Sequence, residues 1–126
     1  MGPLAGVRVL DLSAVVSGPL AGTMLADQGA EVIKVERLGG DIQRNVGSKR
    51  KGYSGSFHVL NRGKRSLAVD LSQPRGVQIV QHLALSVDVV LQNFRPGVAD
   101  RLGVGYPGIA APNPRVIYLS ISVLGQ

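Results

Sequence analysis

The sequence predicts an α/β domain: a mainly parallel sheet with flanking helices. Three observations lead there. Short runs rich in β-branched residues and leucine alternate with longer helical patterns along the whole chain. A proline stands near the start of each main helical pattern, at Pro19 and Pro74, where the missing N–H costs nothing. Glycine-bearing loops separate the segments, and the first three form a β-loop-α-β unit of the kind that pairs its strands in parallel.

The elements follow in order. Val7 to Leu12 (VRVLDL) reads as a short buried strand. Ser13 to Pro19 is a loop, and PLAGTMLADQG is a helix with Leu20, Thr23, Met24 and Asp27 on successive turns and Gly29 placed as the C′ residue. EVIKVE (Glu31 to Glu36) is the second strand. Residues 37–65 read as a long basic loop, rich in Gly, Ser, Arg and Lys and weakly periodic. SLAVDL (Ser66 to Leu71) is the third strand. QPRGVQIVQHLALS is a helix with Val77, Val80, Leu83 and Leu85 as its apolar face. SVDVVLQ is the fourth strand, Val98 to Leu102 a short helix, GVGYPGIAAPNP a connection, and RVIYLSIS the fifth strand. The 126 residues fit one domain, 1–126, with a core of useful size.

Composition narrows the function. There are no cysteines, so disulfide and thiolate chemistry are excluded, and two distant histidines, His58 and His82, make a zinc site improbable. No apolar run reaches bilayer length, and MGPLAGVRVLDL lacks the pattern of a signal peptide, so the expected location is cytoplasmic. Net charge is +6, and it is concentrated: between Asp41 and Asp70 there is no acid, but there are Arg44, Lys49, Arg50, Lys51, Arg62, Lys64 and Arg65. Such a patch suits nucleic acid, an anionic membrane or a phosphorylated small molecule. Only Tyr53 and Phe57 lie nearby and no nucleic-acid motif surrounds them, which argues against nucleic acid, and a solvated basic loop is an equal reading of these side chains; neither nucleic acid nor membrane is expected as a partner.

In an open α/β sheet ligands sit beyond the carboxyl ends of the strands. That places Ser13–Pro19, the segments after Glu36 and Leu71, and Asn93–Gly97 at the site. The first turn, SAVVSGPLAG, lacks the G-x-G-x-x-G of a dinucleotide site and has Pro19 where backbone would approach a pyrophosphate. A P-loop and a G-x-S-x-G elbow are absent as well.

Four blocks, LDLSAVVSGPLAGTMLADQGAEVIKVE, NRGKRSLAVDL, NFRPGVADRLG and NPRVIYLSIS with a terminal GQ, together resemble family III coenzyme A transferases, a group that includes formyl-CoA transferases and α-methylacyl-CoA racemases. The resemblance implies the N-terminal part of a Rossmann-like large domain from a longer, interlocked homodimer. It implies transfer of CoA between an acyl-CoA and a carboxylic acid through an aspartyl intermediate, with no permanently bound cofactor; coenzyme A enters as substrate. The catalytic aspartate is expected beyond this chain, so no catalytic residue is assigned to residues 1–126. Asp11, Asp27, Asp70, Asp88 and Asp100 are read as capping, pairing or surface charges. The alternatives are a piece of a racemase, a CoA-binding module without turnover and, less favoured, a nucleic-acid-binding protein.

The resemblance also implies a CoA site. Its members are Val16 and Ser17 after the first strand; Arg37 after the second; Val69, Asp70, Leu71 and Ser72 after the third; and Asn93, Phe94, Arg95, Arg101 and Leu102 after the fourth. Ser72 replaces a frequent lysine, which moves one expected phosphate contact to Arg65 or Arg75. Pro96-Gly97 is expected to form the turn that aims an amide and two guanidinium groups at the phosphates. Val123-Leu124 stands where the family usually has Gly-Phe, a change expected to remove a positive-φ conformation.

Overall fold

A computed structural model describes residues 1–125; Gln126, the last residue of the terminal GQ block, lies outside the described residues. The central sheet has five parallel strands: β1 (Arg8–Asp11), β2 (Glu31–Glu36), β5 (Lys64–Ala68), β6 (Val89–Gln92) and β7 (Ile117–Ser120). Their spatial order is β5-β2-β1-β6-β7, with Val9 opposite Val32 on one side and Val89 on the other. The chain moves outward from β1 in one direction through β2 and β5, then returns to lay β6 and β7 on the other side. The reversal puts a crevice between the ends of β1 and β6, where such folds bind ligands.

β1 and β6 are buried on both faces, which is why their sequences read as continuous apolar runs. On one face Leu10, Leu12, Val35 and Val90 pack with Val80 and Ala84 of α3 (Pro74–Ala84) and Ile109 of α5 (Tyr106–Ala110). On the other, Val9, Val32 and Leu91 pack with Ala30 and with Leu25 and Ala26 of α1 (Ser17–Asp27). Each fully buried Val or Leu contributes about 1.5–3 kcal/mol.

Helix boundaries follow the expected punctuation. Gly29 adopts φ +101° after the C-cap Gln28, and Pro74 opens α3. The packed faces differ from a simple apolar stripe. In α1 the buried residues are Gly18, Pro19, Gly22 and Thr23, whereas Leu20 and Met24 are exposed. The reason lies beneath the helix: a Cβ at Gly22 would stand 2.8 Å from Asp11 Oδ2 and 3.1 Å from Lys64 Nζ. A buried ion pair receives the first half of α1, and the apolar cluster of Val9, Val32 and Leu91 receives its last turn through Leu25 and Ala26. In α3, Ala84 is buried and Leu85 is exposed.

The segment read as a long loop is largely ordered into small elements. It holds a 3-10 helix (Ile42–Asn45), a hairpin of β3 (Lys49–Arg50) and β4 (Tyr53–Ser54), and α2 (Gly55–Asn61), which packs on α1 and whose Leu60 carbonyl accepts the Thr23 hydroxyl. Its strand begins at Lys64, two residues before the expected start. Ser54 caps α2 by accepting the Phe57 N–H, and Asp41 caps the 3-10 helix by accepting that of Gln43. α5 forms inside the expected connection, opened by Pro107 near its start. Four of the seven basic residues in the interval are in ion pairs: Arg44 with Glu36, Arg62 with Asp27, Lys64 with Asp11 and Arg65 with Glu31. The charge that looks like a patch in sequence is thus mostly divided among structural pairs, leaving Lys49, Arg50 and Lys51 exposed on the hairpin.

Candidate ligand cleft

A cleft of about 500 Å³ opens at the carboxyl edge of the sheet, bounded by the segments that follow β1, β2, β5 and β6. Its apolar lining comes from Leu12, Val35, Val69, Leu71, Phe94 and Leu102. Strand alternation accounts for part of this: Leu12 and Val35 extend the core layer that faces α3, so the floor of the cleft is the rim of the core. An apolar floor of this kind accepts a flat ring or a methylene chain.

The polar groups in the lining are firmly held. Glu36 accepts from Arg44 Nε at 2.8 Å and Arg44 Nη2 at 2.6 Å, from the Ser66 hydroxyl at 2.7 Å and from the Asp41 N–H at 2.8 Å. Burial alone would raise its pKa, but these hydrogen bonds and the Arg44 charge outweigh burial and hold it at about 2. Arg44 is in turn stacked on the Phe57 ring, 3.9 Å from its centroid. Lys34, only 1% exposed, donates to Asp41 Oδ2 at 2.8 Å and to the Ser13 carbonyl at 2.9 Å. Asp70, at the entry to α3, accepts the N–H and hydroxyl of Ser72, which lower its pKa. Glu36 and Asp41 thus have both carboxylate oxygens bound by N–H or O–H donors, whereas Asp70 takes its two donors on Oδ1.

A second buried pair lies behind the first. Lys64 Nζ donates to Asp11 Oδ2 at 2.8 Å, the Pro19 carbonyl at 2.7 Å and Asn61 Oδ1 at 3.1 Å. Burial lowers the Lys64 pKa, against the pull of Asp11. The other Asp11 oxygen takes the N–H of Ser13 at 2.9 Å and its hydroxyl.

Of the residues expected at the site, Arg37, Val69, Asp70, Leu71, Ser72, Phe94 and Leu102 line this cleft. Arg37 is the exposed cation of the lining, folded so that Nε donates to the Gly40 carbonyl at 2.9 Å. The others stand elsewhere. Val16 and Ser17 are exposed at the start of α1, and Ser13 and Ala14 line the cleft in their place. Asn93 reaches the cleft only through Ala14: its Oδ1 accepts the Ala14 N–H at 2.9 Å and its Nδ2 donates to the Ala14 carbonyl at 2.7 Å. The amide expected to aim at phosphate is instead spent on the neighbouring loop. Arg95 lines a separate hollow of about 200 Å³ with Asp100, Tyr106 and Tyr118. Burial, with Asp100 nearby, pushes the Tyr118 hydroxyl up to about 12, and it donates to the Val104 carbonyl at 2.8 Å. Arg101 is exposed, over the Gly97 turn, and in no ion pair among the described residues. Pro96-Gly97 leads into the helix at Val98–Arg101, with Gly97 in the left-handed conformation, φ +79°. Arg65 pairs with Glu31 at the amino end of β2, outside the cleft lining.

Seven further lining residues, Leu12, Lys34, Val35, Glu36, Gly40, Asp41 and Ile42, were not singled out from sequence. Lys34 carried a signal: a charged residue among the apolar Val32, Ile33 and Val35 in the middle of a strand. At the far end, Val123 and Leu124 are exposed and neither has positive φ; the turn there uses Gly125, φ +91°.

A parallel α/β sheet with strand order reversed about β1, and a cleft over its carboxyl edge with an apolar floor and arginine at the rim, defines the class: a Rossmann-like α/β domain. The sequence matches CoA-transferase family III over residues 4–126, and the chain belongs to that family. It is 46% identical to the succinyl-CoA:glutarate CoA-transferase of Mus musculus, spanning all of this chain and 29% of that protein. It is 47% identical to the succinyl-CoA–D-citramalate CoA-transferase of Chloroflexus aurantiacus, spanning 98% of this chain and 31% of that one. The crystal structure of a CAIB/BAIF family protein from Brucella suis superposes with a TM-score of 0.89 at 40% identity, over 94% of this chain and 33% of that chain. A hypothetical protein from Mycobacterium tuberculosis gives 0.92 at 44% identity, over 99% and 34%. The chain thus spans about 30% of the length of the curated relatives it matches. A short-chain dehydrogenase/reductase family protein, 16% identical with a TM-score of 0.58, shares the fold alone. Among the described residues no helix is long and apolar enough to cross a membrane.

Proposed function

We propose that this chain is the coenzyme A-binding portion of an enzyme that transfers CoA between an acyl-CoA and a carboxylic acid. The observation that carries the reading is the cleft itself. It lies at the switch point, with an apolar floor for adenine or pantetheine and Arg37 at its rim for phosphate, in a chain belonging to CoA-transferase family III. The reacting carboxylate is an aspartate outside these 126 residues. It attacks the thioester carbonyl to give a mixed anhydride and release CoA thiolate; the thiolate attacks the aspartyl carbonyl of that anhydride, expelling the donor acid as its carboxylate and leaving an aspartyl-CoA thioester; the acceptor carboxylate then attacks that thioester, releasing the thiolate, which takes the acceptor acyl group from the second anhydride and frees the aspartate. The occupied state of Glu36 and Asp41 supports placing the nucleophile elsewhere. The full enzyme works as a homodimer in the cytoplasm. The division of the basic residues into ion pairs favours a small-molecule ligand over nucleic acid or membrane.

The test is thermal unfolding of the 126-residue chain with CoA. A ligand at about 100 times its dissociation constant stabilises by about 2.7 kcal/mol. We expect a rise in melting temperature with CoA, a smaller one with 3′-dephospho-CoA, and none with NADH. No shift at millimolar CoA refutes the assignment. Hydroxylamine trapping after incubation with succinyl-CoA is expected to find no acyl group on this chain; an adduct on any of its aspartates overturns the placement of the nucleophile.

A further inference from the structure

Between β1 and α1 the backbone runs through a conformation that its sequence disfavours. Val15 has φ +71°, the left-handed region, where a β-branched side chain is strained. Its side chain is 44% exposed, so apolar packing does not hold it there. What does hold it is a ring of side chains from distant segments, which binds five consecutive backbone groups. The Ser13 N–H is bound by Asp11 and the Ser13 carbonyl by Lys34. Both polar groups of Ala14 are bound by Asn93. The Val15 N–H is shared by the two oxygens of Asp41, each at 3.3 Å. Asp41 and Lys34 are themselves a buried pair, and Ser13, Ala14 and Asp41 all line the cleft.

We propose that Asp41, with Lys34 behind it, and Asn93 are positioning residues that hold the Ser13–Val15 segment in a strained, preset shape, so that Ser13 and Ala14 form one wall of the ligand cleft. The benefit is preorganisation: a long flexible ligand meets a wall that needs no ordering on binding. Loss of the clamp lets Val15 relax to negative φ and lowers the fraction of binding-competent molecules, and the apparent affinity falls by that fraction. This rests on the cleft being a CoA site, as proposed above.

The experiment compares wild type, Asp41→Asn, Val15→Gly and the double variant, each as the full 126-residue chain, by amide hydrogen exchange and by calorimetric titration with CoA at a temperature where all are folded. Asp41→Asn is expected to speed exchange at Val15 while leaving strand amides such as Val90 unchanged, and to weaken CoA binding by about tenfold, as a competent fraction of about one in ten gives. Glycine adopts positive φ without strain, so Val15→Gly in the Asp41→Asn background is expected to restore most of that affinity. A role for Asp41 in global stability alone does not produce that rescue. Wild-type affinity in Asp41→Asn, or no rescue by Val15→Gly, overturns the proposal. If wild type binds no CoA, the CoA reading fails, and the Val15 exchange rate still decides whether Asp41 holds the loop. Should Asp41→Asn not fold, Val15→Gly alone decides. It must raise the melting temperature, because glycine at an unstrained exposed position lowers it.

Discussion

Glu36 offers the most direct test of the electrostatics beneath the cleft. The perturbation is acid, applied to wild type and to Glu36→Gln. In the folded chain Glu36 titrates at about 2 against an ordinary 4.5, because Arg44, Ser66 and the Asp41 N–H bind the ionised form despite its burial. A folded-state pKa below the unfolded one means that the unfolded chain takes up the proton first as pH falls. The stabilisation is therefore complete above about pH 5 and is lost as pH drops through 4.5 towards 2. At about 1.36 kcal/mol per tenfold, the ceiling is about 3 kcal/mol. The Arg44 side chain is 40% exposed, so solvent screens part of it, and about 1–2 kcal/mol is the expected size. Urea unfolding followed by circular dichroism at pH 7, 5, 4, 3 and 2.5 measures it. Other carboxylates titrate in the same range, so the informative quantity is the difference between wild type and Glu36→Gln. That difference is expected to be about 1–2 kcal/mol at pH 7, unchanged to about pH 5, and to shrink steadily below it. A difference constant from pH 7 to pH 2.5 refutes the reasoning, since it would show that ionisation of Glu36 contributes nothing.

Two further outcomes follow from packing. Lys34→Met strands a carboxylate that is 4% exposed, and breaking a buried pair from one side costs about 3–5 kcal/mol. At about 2.1 cal/mol/K per residue the melting temperature falls by about 10–20 °C, and Lys34→Met with Asp41→Asn costs less than the two single changes added, a coupling a double-mutant cycle reads directly. Gly76→Ala places a methyl 2.0 Å from the Asp70 carbonyl oxygen, so α3 or the Asp70–Ser72 turn must move; we expect about 1–3 kcal/mol of destabilisation in urea, against almost none for Gln78→Ala on the exposed side of the same helix.

Much of the architecture is legible in the chain itself. The five strands, both main helices and the C′ glycine follow from local rules: apolar runs in strands buried on both faces, proline in a first helical turn, glycine where φ turns positive. The strand ends also locate the cleft, because the crevice of an open α/β sheet is a property of topology. Reading failed where a residue's role is set by a partner far away in sequence. Leu20 and Met24 look like a helix face, but α1 turns its glycines inward because Asp11 and Lys64, 53 residues apart, meet beneath it. Residues 42–61 look irregular because each element there is too short to show a period.

By itself the sequence determined the class of fold, the family and the edge of the sheet where the cleft opens, since these depend on periodicity, on backbone conformation and on short motifs in a set order. Only the tertiary structure decided which polar groups line that cleft. Asn93 sits at the predicted strand end, yet its amide is consumed by Ala14; Lys34 sits inside a strand, yet its ammonium supports the cleft wall. Hydrogen bonds of this kind act over about 3 Å between groups that may be scores of residues apart, and only the folded chain brings them within that range.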